Sequence, residues 1–406
     1  MSYLELDANV TEEQIMFRDS VRRFAIETLR PASIKLDELS PEEVIAPDSI
    51  LWDTLKKAYA LGLHKTLVPE EYGGLGLSPL EVSIVVEELG YGSSGLSIAL
   101  GLAQFPAYLG SLVPSDTLIE NLLVPFCEDT DAKIIGCWAI TEPDHGSDAL
   151  AVGSAQFKDP RIAGMCRAHR EGEEWVINGQ KAAWVSLGTI ATHAMVYLTI
   201  DPSMGMSGGG ICLVPLDLPG VSRGKPLNKM GQRELNQGEI YFDNVRVPEE
   251  YMFIDQESYE AITDITLATC NAYMAATFTG AARAAYEEAL KYSKERIQGG
   301  KILFEHQHVR FKLFNMFKTI EACRALSRAA LNYNLSNVPP ATEYSVVAKI
   351  FCTEAAFQIA SDAVQIFGGN GVTKEYVIEK LFRDARASMI EDGSNDSLAI
   401  FASEKL

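Results

Sequence analysis

Apolar positions recur at helical spacing through the first third of the chain. Phe17, Val21 and Phe24 share one face behind a capping box of Thr11 and Gln14, and Pro31 is expected to close that segment. The stretches PLEVSIVVEEL and SGLSIALGLAQF continue the helical pattern. Around Ile134 it changes: WVINGQK, AMVYLTI, GICLVPL and EIYFDNVRVP are β-branched or aromatic runs bounded by turn residues, and Asn178-Gly179 predicts a two-residue hairpin. SMGMSGGG reads as a connection between two of these strands, and the strand-rich stretch ends near Pro248. From Tyr251 helical periodicity returns, clearest where Val346, Ile350, Phe357, Ala360, Val364 and Phe367 keep one apolar face. The order predicts an α+β multidomain chain: an all-helical domain over 1–133, a β domain over 134–249 and a helical bundle over 250–406.

A chain of 406 residues with 47% hydrophobic and 22% charged content fits two or three packed domains rather than disorder. Its net charge of −20 repels nucleic acid and anionic membrane surfaces, so a polyanionic ligand needs a local basic pocket. The seven cysteines form no CxxC pair, as expected of buried thiols in a reducing compartment. The opening MSYLELDANVTEEQ has neither a secretory h-region nor transit-peptide character, and no apolar run approaches the roughly 20 residues of a membrane span. The expected location is the cytoplasm of a bacterium. The six histidines are dispersed and only His306 and His308 lie close, so no metal is assigned.

Four segments carry candidate chemistry, each with a plainer alternative. CWAITEPDHGSDAL sets Thr141, Gly146 and Ser147 in a polar loop able to offer N–H groups and hydroxyls to a phosphate or a heteroaromatic ring; a surface turn would look the same. KAAWVSLG places Trp184 and Ser186 two apart on an expected strand, facing one way, where a Trp either flanks a flat cofactor or fills a barrel core. ERIQGGKILFEHQ surrounds Gly299-Gly300 with Arg296, Gln298 and Lys301, either a pyrophosphate cradle or a solvated helix end. The last, AVQIFGGNGVTKEYVIEKLFRDARASMIEDGSNDSL, runs a helix into GGNG, which fits neither a Rossmann fingerprint nor a P-loop, then a second helix broken at Asp392-Gly393-Ser394-Asn395.

Together and in this order these segments resemble the acyl-CoA dehydrogenase family: ITEPDHGSD its TEPxxGSD motif, AWVSLG its MWITNG-type strand, QIFGGNG and EKLFRDA its C-terminal signature, with PEEYGGLGL and NKMGQR also in register. The resemblance spans nearly the whole chain. It implies a central β-barrel or sandwich domain, a C-terminal four-helix bundle, FAD as cofactor and an acyl-CoA substrate. It further implies electron transfer flavoprotein as acceptor and a homotetramer in which a neighbouring subunit completes the flavin site. Carried over, Ile140, Thr141, Trp184 and Ser186 would contact the isoalloxazine, and Gly146 and Ser147 would line the region shared with substrate. Arg296, Gln298, Gln365 and Gly369 would bind diphosphate and adenosine, and Ser394 and Asp396 would close the nucleotide site.

In that family a desolvated carboxylate takes the α-proton of the thioester, whose oxygen is hydrogen-bonded by a ribityl hydroxyl and by the base's own N–H, while the β-hydride goes to the flavin. Aligned from Arg383-Asp384-Ala385, the position before Gly393 is Asp392 where most of the family has Glu, and Glu391 stands where Tyr is frequent. Asp392 is the expected base and Glu391 the runner-up. Asp reaches less far by about one C–C bond, on the order of 1.5 Å, so a shifted backbone or an unusually placed substrate carbon is required; a cyclic, branched or aryl-substituted acyl group is one substrate type that would meet this, and the sequence does not choose the acyl group. The other base position used by relatives, on the first long C-terminal helix, holds Cys270 and Asn271 and no carboxylate; Asn271 also replaces an Arg frequent there, so the usual CoA contacts at that point are not expected. Tyr91 is followed by Gly92 rather than by the Arg of glutaryl-CoA dehydrogenases, which argues against that substrate. The competing readings are a nitroalkane oxidase, which also uses Asp but pairs it with an Arg where this chain has Ala399, and a non-catalytic FAD-containing scaffold.

Overall fold

The computed structural model describes residue 6 and residues 10–405; most of the opening stretch on which the expected absence of a leader rests lies outside that range. The first helices are α1 (Glu12–Phe24), α2 (Arg30–Asp37), α3 (Pro41–Val44), α4 (Ile50–Ala60), α5 (Pro79–Gly92), α6 (Ser94–Ala103), α7 (Phe105–Leu112), α8 (Asp116–Leu118) and α9 (Val124–Glu128). The Thr11–Gln14 capping box forms, each side chain accepting the other residue's backbone N–H. Pro31 does not close the segment. Ala25–Leu29 widen into a π-turn in which the Arg30 N–H reaches the Ala25 carbonyl, and Pro31 falls just after it, at the second residue of α2, so the helix runs on through the proline.

The β region contains β1 (Gly136–Ala139), β2 (Arg167–Glu171), β3 (Glu174–Lys181), β4 (His193–Thr199), β5 (Gly209–Pro215), β6 (Val221–Arg223), β7 (Ile240–Pro248) and β8 (Met252–Ile254), so the sheet runs a few residues past 249. Hydrogen bonding gives the order β6-β7-β3-β2-β4-β5-β8, with β1 added in parallel to β4. The SMGMSGGG stretch does connect β4 to β5. Asn178-Gly179 is not the hairpin turn: it lies inside β3 at a bulge against β7, and the β2–β3 turn is Gly172-Glu173. At Gly179 φ is 137°, and a Cβ would come within 2.6 Å of Cys166 Cα, so the glycine serves close packing within the sheet.

The last third forms α10 (Gln256–Glu295), a short hairpin Ile297–Gln298 against Lys301–Ile302, α11 (Gln307–Asn334), α12 (Thr342–Phe367), α13 (Ile378–Ala387) and α14 (Asn395–Ser403). α10 is the axis of the bundle, packed on α5, α11 and α12, and it is buried all round from Thr266 to Ala285. It meets α5 at backbone distance: a Cβ on Gly90 would stand 2.1 Å from the Thr277 carbonyl oxygen, and one on Gly280 would stand 2.0 Å from that of Glu87. A buried polar hub ties all three regions together. Glu234, ahead of β7, accepts from Ser33 at 2.8 Å, Ser93 at 2.6 Å and Lys380 at 3.1 Å, and Lys380 also pairs with Asp384. Among the described residues no single helix is long and apolar enough to cross a membrane.

Candidate active site

Between α13 and α14 the chain turns back on itself, and Asp392 occupies the left-handed region there at φ 51°, a conformation Asp tolerates better than most residues. Three contacts fix this turn. The Ser394 N–H donates to Ser147 Oγ at 2.9 Å, Lys349 Nζ donates to the Gly393 carbonyl at 2.7 Å, and Asn271 Nδ2 lies 3.5 Å from the Asp392 carbonyl. Ser394 also caps α14 by accepting the Ser397 N–H.

Asp392 lines a small apolar pocket bounded by α6, α7 and α10, together with Ile98, Leu102, Phe105, Cys270, Tyr273 and Met274. Among the described residues lining it, Asp392 is the only charged one. Its carboxylate is near enough to Cys270 to help push that thiol up, after burial itself. Desolvation against these walls raises the Asp392 carboxyl to about 6, opposed by the Lys349 ammonium. Glu391 does not line the pocket; its electrostatic partners include Lys229, and its carboxyl too is held above the ordinary range by burial. The geometry thus separates the two carboxylates that the sequence leaves adjacent.

Ile140 and Thr141 follow β1, and their position is set by a buried ion pair: Lys181 Nζ contacts Glu142 Oε1 at 2.7 Å and the Ile140 carbonyl at 3.1 Å, while the Ala182 N–H donates to the Thr141 carbonyl. Trp184 and Ser186 do not lie on a strand. β3 ends at Lys181, and the chain enters a turn closed by Val185 N–H to Ala182 carbonyl and Gly188 N–H to Val185 carbonyl, with Leu187 at φ 62°. Ser186 keeps only an isolated antiparallel bridge to Gln237, with the Leu187 N–H donating to the Asn236 carbonyl, so the two-residue alternation of a strand does not extend over Trp184. Trp184 is 60% exposed and is not core; Ser186 is held by Gln237 Nε2 at 2.9 Å.

Arg296 and Gln298 sit on the exposed hairpin after α10, and Gln365 and Gly369 are exposed where α12 ends. These two places adjoin, because Tyr292 stacks on Phe367 at 4.0 Å and Asn370 donates to the Tyr292 hydroxyl. Both are remote from Asp392: Lys349 touches the Asp392 turn, and 16 residues of α12 separate it from Gln365, about 24 Å along the axis. Within one chain, Ser394 and Asp396 therefore lie at the opposite end of the bundle from Arg296, Gln298, Gln365 and Gly369. Backbone is bare where a ligand could approach, since a Cβ added at Gly146, Gly368 or Gly369 would meet no atom within 4 Å.

Three residues escape the sequence reading. Glu142 and Lys181 form the pair that sets Ile140, and Lys349 stands under the Asp392 turn. The one signal for Lys349 is a lysine within the apolar run VVAKIF.

Comparison with known proteins shows the family and the fold. Family models described as the acyl-CoA dehydrogenase N-terminal, middle and C-terminal domains match residues 11–112, 137–245 and 266–406. The chain is 31% identical to a cyclohex-1-ene-1-carbonyl-CoA dehydrogenase of Geobacter metallireducens, over 95% of this chain and 96% of that one. It is 32% identical to the mitochondrial short-chain specific acyl-CoA dehydrogenase of Rattus norvegicus, over 95% and 88%. The solved butyryl-CoA dehydrogenase of Megasphaera elsdenii superposes with a TM-score of 0.86 at 28% identity, covering 98% of this chain and 99% of that one.

Proposed function

This chain belongs to the acyl-CoA dehydrogenase family and is an FAD-dependent oxidoreductase, and from that premise we propose that Asp392 is the base which takes the α-proton of a neutral acyl-CoA. The observation that carries this reading is a single carboxylate, raised to about 6, in the lining of an otherwise uncharged apolar pocket. A carboxylate in that setting is ionised at neutral pH and still basic enough to accept a proton. FAD, when bound, supplies the acceptor for the β-hydride.

Trp184, Ser186, Ile140 and Thr141 would hold the ring system, since an exposed Trp beside hydroxyls and a fixed backbone suits a flat heteroaromatic. Gly146 and Ser147 would stand where flavin and substrate meet, with Ser394 and Asp396 nearby. Arg296, Gln298, Gln365 and Gly369 lie too far along the bundle to serve the same molecule from the same chain, so they would serve a neighbour's FAD. That division needs at least a second copy of the chain, the family resemblance makes the assembly a homotetramer, and exposed apolar side chains on α11 and α12, among them Phe311, Phe314, Tyr344 and Val347, would supply surface for it. The same reading takes electron transfer flavoprotein as acceptor. It also places the chain in the cytoplasm, in keeping with seven buried, free cysteines. For the acyl group we propose a ring or branched chain, supported by the short reach of Asp392 and by the likeness to the cyclohex-1-ene-1-carbonyl-CoA dehydrogenase of Geobacter metallireducens.

Anaerobic titration of the FAD-loaded protein tests this. Bleaching of the oxidised flavin by cyclic or branched acyl-CoA thioesters supports the reading; bleaching by nitroethane alone, or by nothing in the panel, rejects it.

A further inference from the structure

Lys349 is fully buried in α12, yet among the described residues it makes no ion pair. Its donors go to two atoms of the turn after Asp392, the Gly393 carbonyl at 2.7 Å and Asn395 Oδ1 at 2.8 Å. Asn395 is oriented in turn by Thr353, one helical turn along α12: Asn395 Nδ2 donates to Thr353 Oγ1 at 3.1 Å, and Thr353 Oγ1 donates to the Lys349 carbonyl at 2.8 Å. An ammonium withdrawn from water with only neutral acceptors is costly, and a side chain kept there against that cost is expected to act on a nearby opposite charge.

The groups around it identify that charge. The turn after α13 brings Asp392 and Glu391; Cys270 of α10 faces Asp392; beyond Glu391 stands Lys229, backed by Asp384 and Lys380 of α13 and by Glu234. Of the carboxylates, Asp392 alone lines the apolar pocket. Lys349 itself does not line it, so its effect on chemistry passes through the turn.

We infer that Lys349 is a positioning residue for the base: it locks the Gly393–Asn395 turn with two hydrogen bonds and supplies the positive charge that keeps the Asp392 carboxylate ionised beside an apolar substrate. The inference rests on Asp392 being the base. It fits the directions of the two titrations, since burial drags the Lys349 ammonium down to about 8 while Asp392 and Glu391 pull it back up, and Lys349 is what opposes the rise at Asp392.

The test is the pH dependence of flavin bleaching in the FAD-loaded enzyme at saturating acyl-CoA. Lys349→Met removes charge and hydrogen bonds. Lys349→Gln removes the charge and keeps an N–H donor on a side chain one bond shorter, and it gives the same answer where the Met variant fails to fold. In both, the acid limb of the profile moves up by about one pH unit or more, with KM changing less than kcat, whereas Lys349→Arg returns the limb towards its wild-type position. A neutral variant that is merely slower, with its acid limb unmoved, overturns the inference, as does an Arg variant displaced as far as the Gln one. Asp392→Asn separates the two levels: bleaching that survives it removes Asp392 as base, while an inactive Asp392→Asn beside an unmoved Lys349→Gln limb removes the role of Lys349 alone.

Discussion

The hydroxyl of Ser147 accepts the backbone N–H of Ser394 at 2.9 Å, joining a loop of the β region to the turn that carries Asp392. Two positions 247 residues apart in sequence are thereby held in fixed register, and whatever lies along the Ser147 loop is set relative to the carboxylate.

Replacing the base gives the sharpest outcome. Asp392→Asn is expected to slow flavin reduction by roughly 10²–10⁴-fold, the usual contribution of a positioned base, while Glu391→Gln retains most of the rate. Stopped-flow bleaching checks both, and the reverse ranking would mean that the neighbouring carboxylate does the chemistry.

The pH profile follows from the direction of the Asp392 shift. Because the base must be ionised and its carboxyl is raised to about 6, kcat/KM declines as pH falls through about 6 rather than near the ordinary aspartate value of about 3.9. Initial rates from pH 5 to 8 in one buffer series show the limb.

Stability carries the opposite sign. A carboxyl raised on folding binds its proton more tightly in the native state, so its contribution to stability is present below about pH 4 and is lost as pH rises through about 6. Asp392→Asn stays neutral throughout, and its Tm should exceed that of the wild type at pH 8, the gap narrowing towards pH 4 in scanning calorimetry.

Charge on the acyl tail should be poorly tolerated. The pocket offers a terminal carboxylate only apolar walls and another carboxylate, so dicarboxylic acyl-CoA thioesters should react at least about 100-fold more slowly than neutral ones of equal length. Parallel titration with a matched pair decides it.

Assembly is open to a surface test. Phe311 and Phe314 are 64% and 61% exposed on α11, and changing both to Asp should shift the particle to a smaller species in light scattering after size exclusion. An unchanged mass would move the interface elsewhere.

Much of this was legible in the residues. The helix, strand, helix order is carried by periodicity over long segments, and the position of Asp392 by its offset from Arg383-Asp384-Ala385. What was not legible depends on atoms distant in sequence. Asn178-Gly179 has the composition of a hairpin turn, but the close approach of Cys166, which only the folded sheet creates, makes it a bulge. Pro31 reads as a helix stop unless the preceding turn widens, and the wide turn at Ala25–Leu29 leaves no pattern in side-chain spacing. Trp184 alternates with Ser186 like a strand, yet the strand has already ended at Lys181. Lys349 looks like one cation interrupting an apolar stripe; its meaning appears only when the turn at Gly393 folds against it.

The hub around Glu234 bears on how the molecule could be taken apart. Its one carboxylate draws donors from α2, from the cap of α6 and from α13, so excising the helical bundle would leave Glu234 without its ammonium, and excising the first helices would strip it of two hydroxyl donors. Fragments cut at the junctions should be insoluble on their own, and a chimera that borrows its β region from a relative should work only when an acid arrives at that position. Calorimetry of the whole protein would then record one endotherm rather than three.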